Sequence, residues 1–243
     1  MEKDKSESAS APVIIHHDAH MIAINKPPGL MVHRSSMATG VDTFALQIVR
    51  DLIGQFVYPV HRLDRPTSGV LLFALDRETA AALGTQFTQR EVGKTYHAIV
   101  RGHLEPRGQI DYPLARDENA EKKSAVTHWS VIDHGELDSP VGRYATARYT
   151  LVSLSPQTGR RRQLRRHCAH IRHPIIGDTS HGDGHHNRFF RENLGISGLH
   201  LLARRLTVTH PATGQPLTLQ APWPDHFKKA ATILGWSARE SDD

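Results

Sequence analysis

Cysteine is almost missing: Cys168 is the one cysteine in 243 residues. No internal disulfide can form, and stability has to come from packing. No apolar run approaches the eighteen or so residues a membrane helix needs, and the opening MEKDKSESASAP lacks the apolar stretch of a secretory leader. A soluble, cytoplasmic protein without membrane contact is the expectation. The turn Asn25–Gly29 holds no glycine-rich phosphate cradle, so nucleotide hydrolysis has no support, and nothing calls for a cofactor. No internal repeat of fixed period is visible. The most telling absence is local, because Arg160 to His173 reads RRRQLRRHCAHIRH, with six arginines, three histidines and no acid. A solvated face would intersperse glutamates, so this block points to a polyanion partner. The overall charge of +5, from 30 Lys and Arg against 25 Asp and Glu, agrees.

What is present builds one domain. Hydrophobic residues make up 38% of the chain, enough for one substantial core. Residues 1–12 are polar and read as a disordered tail, 13–236 as the folded domain, and 237–243 as an acidic C-terminal tail. Val13 to His16 and Met21 to Ile24 read as paired strands, Asp42 to Leu52 as a helix, and Val70 to Ala74 as a strand buried on both faces. Asp76 offers an N-cap for a helix through Gln89, and Lys94 to Gly102 alternates as a strand. Two β-rich stretches lie between Ala125 and Ser153. A helix is expected after Gly159, with Leu164, Cys168 and Ile171 inward and Arg161, Arg165, Arg166 and Arg172 at its polar positions. Strands at Leu199 to Thr209 and Leu217 to Leu219 precede a last helix from Pro224 to Leu234. The fold class is therefore α+β, a single catalytic domain on a mixed, mostly antiparallel β-sheet with flanking helices. Nothing demands more than a monomer.

The stretch His61 to Ala74, HRLDRPTSGVLLFA, carries the chemistry. Asp64 sits between Arg62 and Arg65, ahead of Pro66 and a Thr-Ser-Gly turn that feeds an apolar strand. Pro66 keeps Arg65 out of helical geometry and Gly69 permits a sharp turn, so the carboxylate is expected on a rigid loop at a strand entrance. On these residues alone two readings stand: a turn aspartate with weak surface ion pairs, or a charged nucleophile kept ready by arginines.

HRLDRPTSGVLLFA resembles the signature of the RluA-type pseudouridine synthases. Other stretches resemble further motifs of that family in the same order: NKPPGLMVH at Asn25 to His33, KTYHAIVRG at Lys94 to Gly102, TGRRRQLRRHCAHIRHPIIGD at Thr158 to Asp178, and the hairpin text HPATGQPLTLQAPWP. The likeness runs from Val13 to Phe227. It implies Asp64 as the catalytic aspartate, Tyr96 stacked on the target uracil, and Arg165 paired with Asp64. It also implies that Arg62 enters the RNA helix where the base has left, with His61, Arg65, Arg160, Arg161, Arg162 and Arg166 as further RNA contacts. HRS at His33 to Ser35 and RHPIIGDTSHGD look closest to members acting on tRNA at uridine 65 of the T-stem. The stretch ahead of His61 is too short for the extra RNA-binding domain of some relatives, so a catalytic domain alone is expected. Two departures stand out: Arg162 where histidine is frequent, and Leu202 in place of a histidine, with His200 two positions earlier.

The implied reaction breaks N1–C1′, turns the uracil in place and joins C5 to C1′, for which one carboxylate suffices. Rival readings are the same isomerisation on ribosomal RNA, an RNA-binding module without turnover, and a hydrolase that would release free uracil. His167, Cys168, His170 and His173 cluster, but the surrounding arginines would repel a cation, and no metal is expected. Cys168 reads as core.

Overall fold

The computed structural model describes residues 12–33, 43–117 and 119–236, in which ten strands and five helices are formed. Both terminal tails expected from the sequence lie outside the described residues, apart from Pro12. The strands are β1 (Val13–His17), β2 (Met21–Lys26), β3 (Tyr58–Pro59), β4 (Ser68–Ala74), β5 (Gly93–Arg101), β6 (Arg107–Asp111), β7 (Val126–Leu137), β8 (Ala147–Pro156), β9 (Leu201–Thr209) and β10 (Pro216–Gln220). The helices are α1 (Ala45–Ile53), α2 (Arg77–Gln89), α3 (Gln163–His170), α4 (Gly184–Glu192) and α5 (Asp225–Ile233).

All ten strands join one sheet in the order β1-β2-β4-β9-β5-β8-β7-β6, with β10 beside β9 and β3 beside β4. Every pair is antiparallel except β4 with β9, so the sheet is mixed and mostly antiparallel as expected. The parallel contact is short, Ser68 opposite Leu202 and Gly69 opposite Ala203. Gly69 is what permits it. Its φ is +110°, and a Cβ there would lie 2.2 Å from the Ala203 carbonyl oxygen.

SGVLLFA is buried along its whole length because both faces of β4 are covered. On one face Val70 and Leu72 join Leu83 of α2, Phe190 of α4 and Phe227 of α5. On the other, Leu71 and Phe73 meet Ala45 and Val49 of α1. A third cluster sets Ala98, Val152 and Leu154 against Leu164 and Cys168 of α3. Tyr96 borders both the α1 and the α3 clusters, which places it at the seam between them.

Three expectations change. The helix after Gly159 begins later, at Gln163, because Arg162 adopts φ +53° and the Gln163 side chain accepts from the Arg160 amide at 2.9 Å and the Thr158 hydroxyl at 2.7 Å. Arg161 therefore lies outside α3, Arg172 lies beyond its end at His170 with φ +65°, and Arg165 is buried instead of polar-facing. Helix α4 was not anticipated, since GHHNRFFRE begins with glycine and histidines. Asp183 makes it by capping the amides of His185 and His186. Strand β6 also went unread.

Candidate active site

Two turns meet to hold Asp64. The Thr67 amide donates to the Asp64 carbonyl at 3.0 Å and closes the turn that contains Pro66. The Asn25–Gly29 turn grips it from the side: the Gly29 amide donates to the Arg65 carbonyl at 2.9 Å and the Arg65 Nε returns a bond to the Gly29 carbonyl at 3.0 Å. Beneath them lies Lys26, wholly buried, whose Nζ donates to the carbonyls of Pro27 and Leu30 at 2.9 Å each and of Arg65 at 3.2 Å. Burial pulls its pKa down to about 7, against the opposing charge of Asp64. Lys26 thus ties three backbone stretches under the carboxylate.

Residues 61 to 63 alternate in direction. His61 turns inward, its Nε2 accepting the Leu72 amide at 3.0 Å and its ring stacking on Phe87 at 5.0 Å. Burial lowers its pKa to about 4, and the ring is neutral. His61, expected as an RNA contact, is thus held by the scaffold through Leu72 and Phe87. Arg62 is exposed and makes no ion pair among the described residues, Leu63 is buried against the α1 cluster, and Asp64 is partly exposed.

Across from Asp64, α3 presents Arg165. Its guanidinium forms a fork onto Asp178, Nε to Oδ2 at 2.7 Å and Nη2 to Oδ1 at 2.6 Å, while Nη1 stands 3.7 Å from Asp64 Oδ2. Burial opposes the charge on Arg165, but Asp178 and Asp64 outweigh it and raise its pKa above the ordinary value. Burial likewise works against the Asp178 charge, yet Arg165 and the amides of His181 and Ser180 hold its pKa below the usual carboxylate value. The expected pairing of Arg165 with Asp64 is present, but as the longer of two contacts. Asp178 was not foreseen as a site residue. A buried arginine demands a carboxylate, and Asp178 closes the very stretch that carries Arg165. Lys26 was missed because sequence alone does not separate it from a surface lysine.

Tyr96 lies close enough to feel the Asp64 charge. Burial first and that charge second push its phenol up to about 12, so it remains protonated at neutral pH. The remaining arginines divide. Arg161 is exposed, and Arg162 caps α3 half-buried. Arg160 Nε donates to the Ser124 carbonyl at 3.1 Å and Arg166 Nη1 to the Ala115 carbonyl at 2.7 Å, so both tether the excursion between β6 and β7 to α3. The acid-free block is therefore partly structural. Cys168 is core, its thiol pushed up to about 12 by burial. Leu202, the departure noted above, is fully buried opposite His97 and Ser68. Among the described residues no group of three or more His, Cys, Asp or Glu is arranged to hold a metal ion. Among the described residues no helix is long and apolar enough to cross a membrane.

A carboxylate on a rigid turn, a cation locked by a second carboxylate, and a neutral phenol at a seam in the sheet are equipment for rearranging a ring within a larger substrate. Such a set belongs to an enzyme of base isomerisation. The chain belongs to the RNA pseudouridylate synthase family, which converts uridine to pseudouridine within RNA: the family's profile matches residues 20–170, a span that holds Asp64, Tyr96 and Arg165. It is 50% identical over 233 residues to tRNA pseudouridine synthase C of Pectobacterium carotovorum subsp. carotovorum, covering 92% of this chain and 62% of that protein. It is 48% identical to tRNA pseudouridine synthase C of Yersinia pestis, covering 92% of this chain and 91% of that one. Among solved structures, human RNA pseudouridylate synthase domain containing 1 superposes with a TM-score of 0.69 at 26% identity, covering 92% of this chain and 87% of that one.

Proposed function

We propose that the protein isomerises a uridine of tRNA, uridine 65 in the T-stem, to pseudouridine, with Asp64, Tyr96 and Arg165 as its catalytic residues. The observation that carries this reading is the 3.7 Å approach of Arg165 to Asp64 while Asp178 holds the guanidinium still. The choice of tRNA rests on relatives of that name at 48–50% identity. A stem uridine has to leave the stack, at a cost of about a few kcal/mol. Arg62, exposed beside Asp64, fills the vacated place and offsets part of that cost. Tyr96 lies against the uracil as a neutral phenol.

Asp64 then either attacks C1′ or takes the proton from the neighbouring sugar carbon. Both routes need a carboxylate with an oxygen open to the sugar. Arg165 steadies that charge without covering it, since its short bonds are spent on Asp178. N1 leaves C1′, the uracil turns, and C5 bonds to C1′ as the Asp64 ester breaks or as the abstracted proton returns to the sugar; C5 then gives up its proton and N1 gains one, directly or through solvent, so the product is an isomer. The protein acts as a cytoplasmic monomer and needs no nucleotide cofactor.

The test is to incubate the protein with unmodified tRNA and with ribosomal RNA, then locate pseudouridine by carbodiimide treatment and primer extension. A stop one nucleotide 3′ of uridine 65 is expected, and Asp64→Asn should abolish it while RNA binding persists. Modification of ribosomal RNA in its place overturns the substrate, and turnover by Asp64→Asn overturns the mechanism.

A further inference from the structure

One surface remote from Asp64 has features that neither packing nor the reaction explains. The tight turn Val141–Tyr144, closed by backbone bonds of 3.1 and 3.2 Å, projects Arg143 and Tyr144 outward. Tyr144 is 49% exposed. Arg143 lies over its ring at 5.2 Å and donates to its hydroxyl at 3.0 Å. The turn sits on the first turn of α4, where a Cβ on Gly142 would be 3.9 Å from the His185 ring. His185 and Arg188, three residues apart on α4, are both exposed, and Arg188 makes no ion pair among the described residues. Next to them Arg101 is paired with Asp183 and also donates to the Arg172 carbonyl at 2.9 Å, which brings the exposed Arg172 to the same edge.

The carboxylates nearby are already used. Asp183 is taken up by Arg101 and the α4 cap, and Glu192 by Arg191 at 3.1 Å. In this hairpin the exposed Glu136 is paired with Arg148 at 3.2 Å, and Asp138, at the start of the loop, is exposed as well. Three arginines and a histidine around an exposed tyrosine contribute little to folding, because such exposed contacts are worth at most about 1 kcal/mol. They match a polyanion instead: guanidinium groups to phosphates and an aromatic ring for a sugar or base face.

Position identifies which part of the substrate would lie there. Tyr96 and Arg101 belong to the same strand, five residues apart and so on opposite faces of it, which sets the patch roughly 17 Å along the strand from Tyr96, at 3.3 Å per residue, and round its end toward α4. That is too far for the flipped nucleotide and suited to backbone outside the modified stem. We infer that Arg143, Tyr144, Arg172, His185 and Arg188 form a second RNA-binding surface that grips the sugar-phosphate backbone of another arm of the same RNA. The inference rests on the tRNA reading for the identity of that RNA, though not for the chemistry of the surface.

The test compares wild type with Arg143→Glu/Arg188→Glu on full-length unmodified tRNA and on an isolated T-arm stem-loop, with binding followed across a potassium chloride series. For full-length tRNA the double variant should bind about 10-fold more weakly, and its log–log salt slope should be shallower by about 2, as expected for two lost phosphate contacts. Stem-loop affinity and the single-turnover rate at saturating RNA should match wild type, which also reports an intact fold. Tyr144→Ala should lose part of the same full-length affinity. Equal binding of full-length tRNA by wild type and double variant overturns the surface, as does an equal loss on the stem-loop. If wild-type protein leaves tRNA unmodified, the substrate reading fails, while the difference in tRNA binding still decides the surface.

Discussion

Arg165 gives Asp178 its two short bonds, 2.6 and 2.7 Å, and gives Asp64 a contact of 3.7 Å. The acid that does no chemistry holds the cation, and the acid proposed to do it keeps an oxygen uncommitted. Asp178 is accordingly a positioning residue. Asp178→Asn should lower kcat on the order of 10²-fold and leave RNA affinity close to wild type, because the guanidinium loses its anchor while the RNA surface is untouched. Single-turnover kinetics with a parallel binding isotherm separates the two quantities. Wild-type kcat in this variant would show that Arg165 holds its place without Asp178.

Lys26 should matter through backbone and not through contact with the substrate. Lys26→Met keeps the volume but strips donors from the carbonyls of Pro27, Leu30 and Arg65 in a buried site. The expected cost is roughly 2–4 kcal/mol, read from urea unfolding, with kcat falling as the Asp64 turn loosens. An unchanged unfolding midpoint would mean that the two turns hold each other through the Gly29 and Arg65 bonds alone.

Acid should weaken the fold before it weakens RNA binding. Burial lowers His61 from 6.5 to about 4 and His200 from 6.5 to about 3. Below pH 6.5 the unfolded chain therefore takes up protons that the folded chain refuses. Stability is complete above that value and falls as pH drops toward 4 and then 3. Protonating His61 would also set a hydrogen on the Nε2 that accepts the Leu72 amide. Melting temperature followed from pH 7.5 to 4.5 should hold down to about pH 6.5 and decline below it, and a flat profile throughout would mean that the protonated rings find partners inside the fold.

Elements with strong local signals were readable from the sequence. The unbroken apolar run of β4, the Asp76 cap of α2 and the alternation of β5 gave strand, helix and strand near their observed bounds. Asp64, Tyr96 and Arg165 were legible through the likeness of their motifs, and the structure brings them to one place. Direction was harder to read. A run of arginines looks alike whether a given side chain faces solvent, a backbone carbonyl or a buried acid, so the burial of Arg165 and the carbonyl bonds of Arg160 and Arg166 were not legible. His61 had the same ambiguity, settled by Phe87 and Leu72, which only the folded chain puts beside it. Helix α4 depends on one capping aspartate amid residues of weak preference, and a cap is visible only once its amides are placed.

The alternation from His61 to Leu63 has an evolutionary corollary. Inward side chains found the loop and the outward Arg62 is free for the proposed RNA contact, so a single short ribbon separates the foundation from the tool. On the proposed role of Arg62, exchanges there would change the RNA contact without unseating the acid two residues on, so target choice could shift while the reaction is kept.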